Sequence, residues 1–164
     1  VISGCGANNS TDDTTEAISL NQVGEYSGAP YVYLNNNMPY FTDEEKENTK
    51  PFENYSSLDD LGRCGVAFAN IYKELMPTEE RGPIGQIKPS GWHTVKYNGI
   101  IDGNYLYNRC HLIGYQLTGE NANELNLITG TRYLNTEGME GFENTVGDYV
   151  AEMENHVVWE DTKL

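Results

Sequence analysis

Three short stretches carry side chains suited to chemistry. Asn108-Arg109-Cys110-His111 sets an arginine and a histidine two residues apart. On a strand both project from one face, because strand side chains alternate. Asn126 follows, then Asn135 nine residues later and Glu143 eight beyond that. Eight residues is roughly two helical turns, so an Asn135 at the entrance of a helix shares nearly one face with Glu143. A histidine titrating near neutrality can activate water. An amide oxygen supplemented by waters suits hard Mg²⁺, which keeps much of its hydration and takes few protein ligands. Strand, strand and helix carrying these groups inward would make a single-metal phosphodiester site.

The elements that must position them are legible in outline. Tyr105 to Gly114 reads as a strand or strand-to-loop segment, and Asn126-Leu127-Ile128-Thr129 as a short strand ending at Gly130. Met139, Phe142, Val146, Tyr149, Val150 and Met153 then recur at helical spacing, interrupted by Gly141 and Gly147, in a helix ending near Asn155. Val157-Val158-Trp159 begins one more strand. Upstream, Tyr31-Val32-Tyr33-Leu34 is expected as a first strand closed by Asn35-Asn36-Asn37, and Thr42 as the cap of a helix with acids in its first turn. Cys64 to Tyr72 is a buried-strand candidate, and Trp92 to Tyr97 alternates as a strand should. Strands followed by a long helix predict an α+β fold with an antiparallel sheet.

At 164 residues with 38% hydrophobic and 21% charged side chains, the chain can bury one modest core. No apolar run approaches the roughly 18 residues of a membrane helix, and no repeat or heptad is visible. The net charge of −15 argues against a broad basic surface for a polyanion. That charge is uneven: residues 1–62 carry −9, residues 137–164 carry −7, and residues 63–136, which hold the chemistry, carry +1. A nucleic acid could therefore meet only the middle, with a divalent cation interposed. Lys88, Lys96 and Arg132 are the candidate contacts to its backbone, Arg132 first because it lies between a strand and Asn135.

Ile2-Ser3-Gly4-Cys5 resembles a bacterial lipobox, in which the cysteine is lipidated and becomes the mature amino terminus. The polar stretch after it, rich in Thr, Asn and Asp, reads as a disordered tether. The expected division is a lipobox remnant and tether over 1–20 and one domain over 21–164. Cys5 would then anchor the chain to the outer face of a Gram-positive-type membrane.

At the chemical positions the chain resembles the DNA/RNA non-specific endonucleases with the ββα-metal (His-Me finger) motif, especially secreted nucleases of Gram-positive bacteria. The family's D-R-G-H signature is matched by Asn108-Arg109-Cys110-His111, and its Asn and Glu spacings by Asn126, Asn135 and Glu143. The likeness is dense from Arg109 to Asn144 and looser from about Gly24 to Val158. The resemblance implies a long helix after the second motif strand and sequence-non-specific hydrolysis of DNA, with RNA left open, giving 5′-phosphate products. His111 would be the general base, Asn135 the direct ligand of one Mg²⁺ (Mn²⁺ substituting), and Arg109 the stabiliser of phosphoryl charge. Glu143 would order the ion's waters, and Asn126 and Asn108 would support. Two residues depart from the pattern: Asn108 replaces an Asp, and Cys110 replaces a Gly. The relatives continue past the Val157-Val158-Trp159 strand, so a domain shortened at its carboxyl end is expected.

Blander readings stand beside these. His93 reads as structural and His156 as a cap on the long helix. Cys64 and Cys110 are candidates for a disulfide or for two buried thiols. Cys110 faces away from His111 if both are on a strand, which removes it as a nucleophile, and Gly62-Arg63-Cys64-Gly65 lacks the pattern of a phosphate loop. The rival to a nuclease is a catalytically silent surface lipoprotein that binds nucleic acid or a protein.

Overall fold

The computed structural model describes residues 20–153 and 155–161. Two antiparallel sheets and a long helix form one core. The first sheet runs in the order β1 (Phe52–Tyr55), β2 (Ala67–Ile71), β5 (Val157–Asp161), with β2 central. The second is the pair β3 (Tyr107–His111) and β4 (Leu127–Thr131). Helix α1 (Asp43–Glu47) precedes β1, the short α2 (Tyr115–Thr118) follows β3, and α3 (Glu140–Met153) follows β4 through a π-helical turn at Leu134–Met139. Strand, strand, helix is thus realised as β3, β4, α3.

Alternation on β2 decides where the core lies. Ala67, Ala69 and Ile71 are wholly buried on one face and cluster with Leu112, Ile113, Leu117, Val146 and Val150. On the opposite face Phe68 stacks on Phe41 at 6.0 Å and meets Phe52 edge-on at 5.1 Å. Gly147 is buried where α3 faces Leu117 of α2. Trp159 on β5 donates its indole N–H to the Leu112 carbonyl at 3.2 Å, tying the three-stranded sheet to the chain leaving β3.

Thr42 caps α1 as expected: its hydroxyl accepts from the Glu45 N–H, and its own N–H donates to the Glu45 carboxylate at 2.7 Å. Two expected strands do not form. Tyr31–Leu34 has no partner strand and runs exposed into a turn in which Asn35, Asn36 and Asn37 all take positive φ. Trp92–Tyr97 makes a single bridge, Lys96 to Tyr105, flanked by backbone bonds from the Leu106 N–H to the Val95 carbonyl and from the Tyr97 N–H to the Asn104 carbonyl, while the Trp92 ring packs under Arg109. Conversely β1 carried no sequence signal, its four residues mixing Phe, Glu, Asn and Tyr. His156 does not cap α3; its ring stacks on Tyr72 at 4.8 Å.

Asn126 is the joint of the motif. It is fully buried, its Oδ1 accepts from the Ile113 N–H at 2.9 Å, and its Nδ2 donates to the Ile113 carbonyl at 3.0 Å. Its own carbonyl accepts from the Leu112 N–H at 2.9 Å. One side chain therefore fixes the turn that carries the chain out of β3. Asn126→Ala leaves two buried backbone groups of Ile113 unpaired and is expected to lower stability by roughly 2–4 kcal/mol, read by urea denaturation. A loss below about 1 kcal/mol would show that the clamp is not structural.

Candidate active site

His111 ends β3 opposite Leu127 and is almost wholly enclosed. Its Nε2 lies 2.8 Å from the Asn121 carbonyl, which can only accept, so Nε2 carries the proton and Nδ1 keeps its lone pair. Nδ1 faces the Arg81 guanidinium at 3.5 Å. Burial pushes the imidazole below its usual pKa; the Asn121 carbonyl opposes this, and the positive charge of Arg81 adds to it. The net result is a neutral, basic ring.

A small cleft of about 90 Å³ opens at this ring between β3, α2 and the start of α3, lined by Arg81, Gly114, Gln116, Asn135, Glu140 and Glu143 besides His111. Asn135 reaches it from the π-helical turn, where the Glu140 N–H bonds the Asn135 carbonyl. A π turn inserts one extra residue into the helical ladder, which re-aims side chains, and such turns recur at functional sites. Glu143 is buried on the next turn, and Gln116 donates to its Oε2 at 3.1 Å. Burial raises the Glu143 carboxyl above the ordinary range, with the Gln116 hydrogen bond working against it. Gly114 leaves room for the Glu143 carboxylate: a β-carbon on it would lie 2.6 Å from the carboxyl carbon and would push that side chain aside.

The structure thus brings His111, Asn135 and Glu143 together and adds Arg81, Gln116 and Glu140. Arg109 is elsewhere. Its guanidinium donates to the Ile87 carbonyl and, at 3.0 Å, to the Gly85 carbonyl, and it covers the Trp92 ring at 3.8 Å. Asn108 lies on the opposite face of β3 beside Gly130, and Asn126 clamps the turn without lining the cleft. Arg132 is paired with Asp102 at 2.7 Å, Lys96 covers the Tyr105 ring at 4.6 Å, and Lys88 is exposed. His93 is structural, bonded to the Gly91 carbonyl and packed on Tyr107. Cys5 lies outside the described residues.

The candidate disulfide is not present. Cys64 and Cys110 are both buried, but Cys64 Sγ donates to the Glu124 and Leu127 carbonyls, while Cys110 packs against Gly130. Burial pushes the Cys110 thiol up to about 12, so it stays protonated and inert.

Sequence reasoning missed Arg81 because it is a solitary cation in a loop, 30 residues from His111, with no periodicity to aim it. A larger cavity of about 720 Å³ lies between α1 and Phe52 and Phe68. Its ionisable groups are carboxylates alone, so it offers no base or nucleophile.

The cleft's donor set is hard: an amide oxygen, two carboxylates and no thiolate, with Gly114 holding space open beside Glu143. Among the described residues no three His, Cys, Asp or Glu gather into a metal cage. Such a set suits a divalent cation that keeps most of its waters.

Residues 41–161 match the family model for DNA/RNA non-specific endonucleases. The chain belongs to that family. Its fold is similar to that of NucA from Streptococcus agalactiae solved with magnesium bound, at TM-score 0.62 and 24% identity over 71% of this chain and 58% of that one. It is also similar to the Sda1 nuclease with bound zinc, at TM-score 0.57 and 26% identity over 73% and 67%. The chain thus spans less than two thirds of the length of NucA. No curated protein matches it significantly.

The Gly114–Glu143 contact gives a direct test. Gly114→Ala is expected to displace the carboxylate and cut divalent-ion affinity by roughly 10–100-fold, read by calorimetric Mg²⁺ titration. Gly85→Ala, with nothing within 4 Å of the added carbon, is expected to be silent. Equal affinity in both variants would contradict the cradle.

Proposed function

We propose that the chain is a divalent-metal-dependent endonuclease that hydrolyses DNA without sequence preference. The observation that carries this reading is His111: a neutral imidazole locked by the Asn121 carbonyl, its unprotonated Nδ1 accepting from Arg81 at 3.5 Å at a cleft that also holds Asn135 and Glu143. His111 Nδ1 takes the proton from the attacking water as general base. Asn135 would hold the cation through its amide oxygen, with Glu143 and Glu140 hydrogen-bonding its hydration shell; bound there, Mg²⁺ or Mn²⁺ supplies Lewis-acid polarisation of the phosphodiester. Arg81, rather than Arg109, offers its guanidinium to the negative charge developing on the phosphoryl oxygens. Arg109 is a positioning residue, holding the Gly85–Trp92 loop through two carbonyls and a ring. Collapse of the transition state expels the 3′ oxygen and leaves a 5′-phosphate. The Ile2-Ser3-Gly4-Cys5 motif supports export and lipid anchoring at Cys5.

Plasmid nicking tests the reading. Activity is expected with Mg²⁺, none in EDTA, and a loss of about 10²–10⁴-fold in His111→Ala. Arg81→Ala is expected to lower kcat by about 10²-fold, while Arg109→Ala shows itself mainly in thermal stability. A folded chain that never nicks DNA would favour the silent binding lipoprotein.

The pH dependence follows from the imidazole. A His111 pKa below the usual value of about 6.5 keeps the base unprotonated into mildly acidic solution. The acid limb of the nicking rate is therefore expected to have its midpoint below that usual value. A midpoint at or above that usual value would contradict the buried neutral base.

A further inference from the structure

Arg81 reaches the cleft from residues 77–87, a stretch with neither helix nor strand. Irregular backbone holds a side chain in place only where the rest of the fold ties it down. Three ties are present. Pro77 lies against Gly119, the glycine that ends α2. The Tyr115 hydroxyl donates to the Glu79 carbonyl at 2.7 Å, two residues before Arg81. Arg109 donates to the Gly85 and Ile87 carbonyls, four and six residues beyond it. The guanidinium carried by this strap meets His111 Nδ1 at 3.5 Å.

Tyr115 is the tie nearest to Arg81, and it lines the cleft itself. Its own carbonyl accepts from the Gly119 N–H at 2.8 Å, which closes the single turn of α2 and fixes the backbone from which the ring projects. The next residue, Gln116, turns to α3 instead. Its Nε2 donates to Glu143 Oε2 at 3.1 Å and to Asn144 Oδ1 at 3.3 Å. Two consecutive side chains therefore hold the two charged groups of one cleft, the Arg81 guanidinium and the Glu143 carboxylate. A reacting phosphodiester must fit between them, and a misplacement of about 1 Å can cost about 10²-fold in rate. The Tyr115 ring could fill space without its hydroxyl; the hydroxyl is the part that reaches the strap.

We propose that Tyr115 and Gln116 are paired positioning residues: the Tyr115 hydroxyl sets the Arg81 guanidinium through the Glu79 carbonyl, and the Gln116 amide sets the Glu143 carboxylate. The inference rests on the nuclease reading above and adds what holds its two charged groups in place. The two residues then carry different signatures. Loss of the Tyr115 hydroxyl lets Arg81 drift from the developing phosphoryl charge, which lowers kcat and leaves metal affinity alone. Loss of the Gln116 amide frees Glu143 and weakens the hold on a cation's waters.

The test separates the two signatures on the whole chain. Tyr115→Phe keeps the ring and is expected to lower kcat for plasmid nicking at saturating Mg²⁺ by roughly tenfold or more, with KM nearly unchanged. In an Arg81→Ala background the same substitution is expected to change kcat by less than about twofold, because residues that act through one another are not additive. Gln116→Met keeps the length of the side chain without the amide, and is expected to weaken calorimetric Mg²⁺ binding by roughly tenfold or more, whereas Tyr115→Phe binds Mg²⁺ as the parent chain does. Hydrogen exchange followed by mass spectrometry supplies a readout free of catalysis. Amides of residues 79–87 are expected to exchange faster in Tyr115→Phe, with those of β2 unchanged. Full kcat in Tyr115→Phe, or the same loss with and without Arg81, would overturn the proposal. So would exchange that rises equally in β2, which would make the hydroxyl a matter of general packing, or unchanged Mg²⁺ affinity in Gln116→Met. Absence of His111-dependent nicking in the parent chain sinks the nuclease reading, and exchange in residues 79–87 together with the Mg²⁺ titration then decides the positioning roles by itself.

Discussion

Everything at the site depends on how one imidazole is buried. His111 sits at the end of β3 with almost no solvent contact, and the hydrogen bond from its Nε2 to the Asn121 carbonyl is what fixes its proton. Without that acceptor the ring could carry its hydrogen on either nitrogen, and burial would favour neutrality without choosing a tautomer. With it, the unprotonated nitrogen is Nδ1, which lies at the cleft beside Arg81. The nearby guanidinium of Arg81 reinforces this, since a second positive charge beside an imidazolium is unfavourable.

The rest of the motif keeps that ring and its neighbours in register. Asn126 spends both ends of its amide on Ile113, so the exit from β3 cannot drift. Gly114 then passes so close to Glu143 that a side chain there would push the carboxylate aside, and the π-helical turn delivers Asn135 to the same cleft. Trp159 and the alanine face of β2 supply the apolar backing. The acidic flanks leave this region close to neutral, which suits the proposed meeting of a polyanion with a cation held by oxygens.

Much of this was legible because it is local. The β3, β4 and α3 elements follow from alternation and from helical spacing, and His111, Asn135 and Glu143 meet because those periods aim them at one place. Arg109 shows the limit of the same reasoning. It shares the face of His111, yet its guanidinium reaches sideways to the Ile87 and Gly85 carbonyls, and the guanidinium in the cleft comes from Arg81 in an irregular loop. Strand patterning failed at Tyr31–Leu34 and Trp92–Tyr97 for a related reason. Alternation describes a strand only where a neighbouring strand accepts its hydrogen bonds, and those rings are committed to Phe142 and Arg109. The disulfide does not form: Cys64 Sγ is held by the Glu124 and Leu127 carbonyls while Cys110 packs on Gly130.

The most direct test of this arrangement is the protonation state of His111 itself, read by ¹⁵N–¹H long-range correlation NMR on the whole chain near pH 7. The expected result is one tautomer with Nε2 protonated and Nδ1 bare, reverting to the ordinary mixture in His111 only on unfolding. A ring protonated at Nδ1, or an imidazolium at that pH, would leave no base in the cleft and would contradict the site as described.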